Sequence, residues 1–172
     1  MRILLVNPPY PVCESLTMPL GLLYLAARLE KAGHEVFLED AQLCRSPLRR
    51  LKRTLQRLDP QVVGITSFSI NLAMASRMLQ MVKRLCPGAV TVWGGPHVSF
   101  ADEDILRHHT WVDVIVRGEG EETLVELMEK VRESSRRGIC SNSPSIELSG
   151  MERASLPPGA ALTGVSSAWA AR

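Results

Sequence analysis

At 172 residues the chain is long enough for one domain with its own core and a tail, but not for two full domains. Acids and bases nearly balance at a net charge of +2, which excludes the broad positive field of a protein built to bind nucleic acid or an anionic membrane. Cys13, Cys44, Cys86 and Cys140 stand far apart with no CxxC pair, so no zinc or iron–sulfur spacing is present, and free thiols in a reduced, cytoplasmic setting are expected.

Met1-Arg2 leads into a short apolar run, Ile3 to Val6, stopped by Asn7-Pro8-Pro9. Such a run suits a strand buried on both faces and is too short for a signal peptide or a membrane span. A long loop with Tyr10, Cys13, Ser15 and Thr17 follows, and loops of that length at strand ends usually carry function. From Pro19 to Lys31 leucines and alanines recur at helical spacing, with proline at the start and Gly33 just past the end.

His34 to Asp40 reads as the second strand and Leu48 to Leu58, closed by Asp59-Pro60, as the second helix. Arg45, Arg49, Arg50, Lys52, Arg53 and Arg57 cluster there at helical spacing and read as a solvated face. Val62 to Thr66 is the third strand and opens into Ser67-Phe68-Ser69-Ile70-Asn71. Leu72 to Leu85 is the third helix, whose methionines read as core filling.

Val90 to Trp93 is the fourth strand, and it breaks abruptly into Gly94-Gly95-Pro96-His97, where backbone must come close to something. A short helix around Ala101 to His108, a fifth strand over Val112 to Val116, the turn Arg117-Gly118-Glu119-Gly120 and a helix from Glu121 to about Glu133 complete the pattern. Residues 138–172 are rich in Ser, Pro, Gly and Ala without apolar period, so the domain is expected to span residues 1–137 and the remainder to be an unstructured tail or truncated linker.

Regular alternation of strand and helix predicts an α/β fold, a doubly wound five-stranded parallel sheet in the flavodoxin-like, Rossmann-like order 2-1-3-4-5. Ligands of such sheets sit outside the carboxyl ends of the strands. The loop from Asn7, the segment Thr66 to Asn71, the segment Gly94 to His97 and the turn Gly118 to Gly120 then share one rim. Serine and threonine after a strand also serve as helix caps, and paired glycines also serve tight turns.

Other chemistry finds little support. His34, His97, His108 and His109 form no HExxH or similar pair, no Ser lies in a GxSxG elbow, and there is no Walker A sequence. His34 falls at the rim opposite the predicted site and reads as structural, whereas His97 is on the ligand rim. Gly118-Glu119-Gly120 follows the fifth strand, not the first, and Thr123 replaces the third glycine of a dinucleotide fingerprint.

Six strings occur in order at matching spacing: Ile3 to Tyr10 (ILLVNPPY), Pro19 to Ala27 (PLGLLYLAA), Ala32 to Val36 (AGHEV), Val63 to Ser67 (VGITS), Trp93 to His97 (WGGPH) and Val116 to Glu121 (VRGEGE). Together they resemble the N-terminal cobalamin-binding domain of B12-dependent radical SAM proteins, over roughly residues 1–133. The resemblance implies a corrin over the strand ends and a nucleotide tail in a slot beside the sheet. By position it implies cofactor contacts from Asn7, Pro8, Pro9 and Tyr10, from Thr66, Ser67, Phe68, Ser69 and Asn71, from Gly94, Gly95, Pro96 and His97, and from Gly118, Glu119 and Gly120.

Related methionine-synthase-like domains carry Asp-x-His-x-x-Gly where this chain has Asn7 to Tyr10, so a base-off cobalamin without a histidine from that loop is implied. The CxxxCxxC triplet of the radical SAM barrel is absent, so no iron–sulfur cluster and no independent activity are expected on this chain. A separate radical SAM domain or subunit is the implied partner, leaving a carrier, a fragment or a truncated product. Two other readings stand beside it. The first half of a sugar-nucleotide glycosyltransferase opens similarly but needs a second domain, and a receiver-like signalling domain needs acidic residues where Asn7 and Thr66 to Ser69 stand.

Overall fold

The computed structural model describes residues 1–11, 18–42, 44–99, 105 and 107–136. The strands are β1 (Arg2–Asn7), β2 (Glu35–Asp40), β3 (Val62–Thr66), β4 (Val90–Gly94) and β5 (Val114–Ile115). The helices are α1 (Leu20–Lys31), α2 (Pro47–Leu58), α3 (Leu72–Leu85) and α4 (Glu121–Arg136), and a single 3₁₀ turn, Ser69–Asn71, precedes α3. All strand pairs are parallel and the order is β2-β1-β3-β4-β5, as the alternation predicts.

The two-residue period of the strands divides the core in two. Leu4, Val6, Val63, Ile65, Trp93 and Ile115 face α2 and α3, where Leu51, Leu55, Met78 and Leu79 close over them. Ile3, Leu5, Val62, Val92, Val114 and Val116 face α1 and α4, and meet Leu22, Leu29, Leu124, Leu127 and Met128. Met78 is fully buried and Met74 and Met81 pack beside it, so the methionines of α3 are core. The basic residues of α2 are exposed, with Arg50 Nε 4.0 Å from the buried Glu39 carboxylate.

β5 is shorter than the expected Val112 to Val116, for a chemical reason. The Thr91 hydroxyl donates to the Trp111 carbonyl at 2.8 Å and accepts the Asp113 N–H at 3.1 Å. Asp113 Oδ2 in turn accepts the Thr91 N–H at 2.7 Å. Side chains therefore share the ladder positions ahead of Val114 with one backbone bond, from the Asp113 N–H to the Thr91 carbonyl at 3.2 Å. Lys83 Nζ adds an ion pair to the same carboxylate at 2.5 Å, tying α3 to the amino ends of β4 and β5.

His34 sits between α1 and β2 at the amino end of the sheet, and burial lowers its pKa. Cys44 and Cys86 are free thiols; Cys13 and Cys140 lie outside the described residues. The same holds for the tail and for the helix around Ala101 to His108, apart from Ile105, Arg107 and His108, which are helical. Among the described residues no helix is long and apolar enough to cross a membrane, and no cluster of His, Cys, Asp or Glu could hold a metal ion.

Candidate functional site

A cavity of about 420 Å³ lies between the sheet and the helix pair α1/α4 at the carboxyl ends of the strands. Its volume falls within the range of roughly 300–1,000 Å³ typical of small-ligand sites. Its walls are Leu5, Val92 and Val116 from the sheet and Leu22, Leu25 and Leu124 from the helices. These positions alternate with the glycines that create the space. Gly64 and Gly94 stand on the same sheet face as Leu5 and Val92, and Gly120 sits at the entry to α4.

A Cβ on Gly64 would come within 2.9 Å of Leu5 Cδ2, and one on Gly120 within 3.3 Å of both Leu25 and Val116. Gly94 differs, since its nearest neighbour would be the Val116 carbonyl at 3.7 Å. Gly95 differs again: its φ is +105° and a Cβ would lie 2.6 Å from the Ser67 carbonyl oxygen and 2.7 Å from the Ser67 nitrogen. The close approach at Gly95 is thus to the chain's own β3 loop.

Of the residues expected at the rim, Asn7, Tyr10, Thr66, Phe68, Gly94, Gly95, Pro96, Gly118, Glu119 and Gly120 line this cavity. Tyr10 and Phe68 stand together, ring centroids 6.0 Å apart, and Phe68 remains 43% exposed. Pro8, Pro9, Ser67, Ser69, Asn71 and His97 are not among the lining residues. Most of these have work inside the rim. The Ser67 hydroxyl accepts the Trp93 indole N–H at 2.9 Å, on the opposite sheet face. Asn71 is buried, its Oδ1 accepting the Phe68 N–H at 2.8 Å and its Nδ2 donating to the Pro8 carbonyl at 3.4 Å.

Ser69 Oγ and His97 Nδ1 lie 2.9 Å apart at the surface, joining the β3 and β4 loops. Ser99 performs a similar service one loop further on. Its hydroxyl donates to the Gly95 carbonyl at 3.1 Å and accepts the Gly118 N–H at 3.0 Å. Strand-end loops that would otherwise move independently are therefore laced into one platform.

Sequence reasoning passed over Gly64, Gln42 and the leucines of α1 and α4. Gly64 carried a signal, because a glycine inside an apolar strand marks a close approach. Gln42 carried none, being one polar residue in a loop. Its Oε1 is shielded from solvent and has no hydrogen-bond donor among the described residues.

The cavity is lined largely by apolar side chains with oxygen acceptors at its margins. Among its described lining residues there is no Arg, Lys or His, and α4 opens with the carboxylates of Glu121 and Glu122. A bulky neutral group bearing hydrogen-bond donors fits these walls.

Comparison with known proteins gives the family and agrees with the fold. The anaerobic magnesium-protoporphyrin IX monomethyl ester cyclase of Cereibacter sphaeroides is 34% identical over 133 residues, which is 74% of this chain and 22% of that protein. The hopanoid C-3 methylase of Methylococcus capsulatus is 32% identical over 133 residues, 74% of this chain and 24% of that protein. The radical S-adenosylmethionine methyltransferase TsrM of Kitasatospora setae, solved with cobalamin and a [4Fe-4S] cluster bound, superposes with a TM-score of 0.70 at 24% identity, over 77% of this chain and 26% of that one. This chain thus spans about a quarter of the length of each. The B12-binding domain model matches residues 12–128, and the chain belongs to the B12-binding domain family.

Proposed function

We propose that this domain holds a base-off cobalamin, tail in the cavity and corrin over the rim, for a radical SAM enzyme that transfers a methyl or alkyl group or rearranges a carbon skeleton. One observation carries the reading: the glycine-floored cavity opens beside the sheet at the rim where half-buried Tyr10 and exposed Phe68 stand together. A nucleotide base lodged between the sheet and α1/α4 is kept from the lower face of cobalt, which is what base-off means. Gly64, Gly94 and Gly120 would leave room for the tail, and the apolar side chains of α1 and α4 would exclude water around it. Tyr10, Phe68 and Pro96 would support the corrin.

When bound, the cofactor supplies the alkyl-transfer chemistry at cobalt, and the protein positions it. The reacting group would then lie on the far face of the corrin, toward solvent. Met18, Leu20, Tyr24, Phe68 and Ile70 are exposed apolar side chains near that rim, which supports a catalytic domain or subunit covering it.

Hydroxocobalamin retention tests the proposal. The purified chain is loaded, desalted and reduced to cob(II)alamin, and its electron paramagnetic resonance spectrum is recorded. Retention with no nitrogen splitting from a lower ligand is expected. Loss of the corrinoid on desalting, or a base-on spectrum, refutes it.

A further inference from the structure

One side of the cavity is organised around Asp40, at the end of edge strand β2. Its Oδ1 accepts Nδ2 of Asn7 at 3.1 Å and the backbone N–H of Gln42, also at 3.1 Å. A carboxylate accepts and cannot donate, so this contact fixes which way the Asn7 amide is turned. The nitrogen faces Asp40, and the oxygen, the other arm of the amide, makes no hydrogen bond among the described residues. Asn7 is 2% exposed, and it lines the cavity.

Gln42 lines the cavity as well, and its shielded Oε1 has no donor among the described residues. A buried carbonyl left unpaired is costly in a folded protein, and a bound N–H would relieve that cost. Asp40 thus orients the Asn7 side-chain amide and anchors the backbone of Gln42, and the side-chain amides of both residues line the space. The charged lining residues, Glu119 and Glu121, supply only carboxylates.

We infer that Asn7 and Gln42, keyed by Asp40, form an amide-reading wall that selects a corrinoid with intact peripheral carboxamides over one with a free carboxylate. The inference rests on the proposed cobalamin reading and adds a specificity to it. A ligand carboxamide presents an N–H₂ that can donate to these oxygens. A ligand carboxylate at the same place presents only oxygens, among groups that are themselves acceptors or anions, and no described lining residue supplies a cation.

The test uses the full chain, with hydroxocobalamin and each of its separated monocarboxylic acids in equilibrium dialysis at pH 7. At least one monoacid is expected to bind about tenfold or more weakly than the parent, the loss of a charge-sensitive hydrogen bond in a desolvated site. Gln42→Met, which keeps length and removes the acceptor, should narrow that gap by weakening the parent alone. Gln42→Lys, which supplies a cation, should invert the order for that monoacid.

Equal binding of parent and all monoacids by the wild-type chain overturns the inference and leaves the cobalamin reading in place. An undiminished preference in Gln42→Met also overturns it. Failure of every form to bind refutes the cobalamin reading, and this inference with it. The wild-type comparison does not depend on any variant folding.

Discussion

Gly94→Leu separates the ligand's needs from those of the fold. The position lies at the end of β4 on the cavity face, outside the left-handed region, and an added Cβ would meet nothing closer than 3.7 Å. The fold should tolerate it, since replacing a strand glycine recovers roughly 0.5–1 kcal/mol of backbone entropy. Four added carbons, at roughly the 30 Å³ of a water molecule each, claim about 120 Å³ of a cavity of about 420 Å³. If about 100 Å² of apolar ligand contact is lost at about 25 cal/mol per Å², binding weakens by about 2.5 kcal/mol, or about 70-fold. Dialysis against hydroxocobalamin gives the Kd, and a thermal melt gives the fold. Wild-type affinity in a folded Gly94→Leu chain would place the tail elsewhere and sink the argument.

Gly95→Ala should behave in the opposite way. A φ of +105° and a Cβ within 2.7 Å of the Ser67 backbone strain the fold itself, so denaturant unfolding should show a loss of about 2 kcal/mol or more. Asp113→Ala should leave cobalamin affinity unchanged, because the residue lies at the amino end of the sheet. It strands the Thr91 N–H and leaves the Lys83 ammonium with the Ala89 carbonyl but no counter-ion, for a cost of about 2–4 kcal/mol and a fall in Tm of about 5–10 °C.

The pH profile of stability gives a fourth prediction. His109 packs against Trp93 and Trp111, centroids 5.5 and 5.1 Å away, and burial, aided by the neighbouring His108 charge, lowers its pKa below 6.5. His34 is shifted the same way, by burial first and then by the positive N-terminus. The unfolded chain therefore binds more protons than the folded one just below pH 6.5, so stability is full above that value and declines as pH falls toward the depressed folded pKa values. His109→Phe, which keeps a ring in the stack, should flatten the decline in urea titrations. An unchanged slope would show that His109 does not contribute to it.

Much of this molecule is legible from residue order alone. Apolar runs bounded by Asn7-Pro8, Asp59-Pro60 and Cys86-Pro87-Gly88 mark the strands and helices, because burial on both faces of a parallel sheet demands such runs and proline and glycine interrupt them. Alternation of those elements then sets the strand order and brings Asn7, Thr66, Gly94 and Gly118 to one rim. Only the tertiary structure decided what each rim residue does. Ser67 and Asn71 look like ligand contacts by position, yet they are consumed by Trp93, Phe68 and Pro8. Adjacent glycines at 94 and 95 look alike in sequence, yet a Cβ would fit at one in ordinary contact and at the other would collide with the chain's own backbone. Leu22, Leu25 and Leu124 have the periodicity of any core leucine, and they become cavity walls because α1 and α4 dock over a sheet face from which glycines have removed the side chains. Local pattern specifies an element; the environment of a side chain depends on what distant elements place against it.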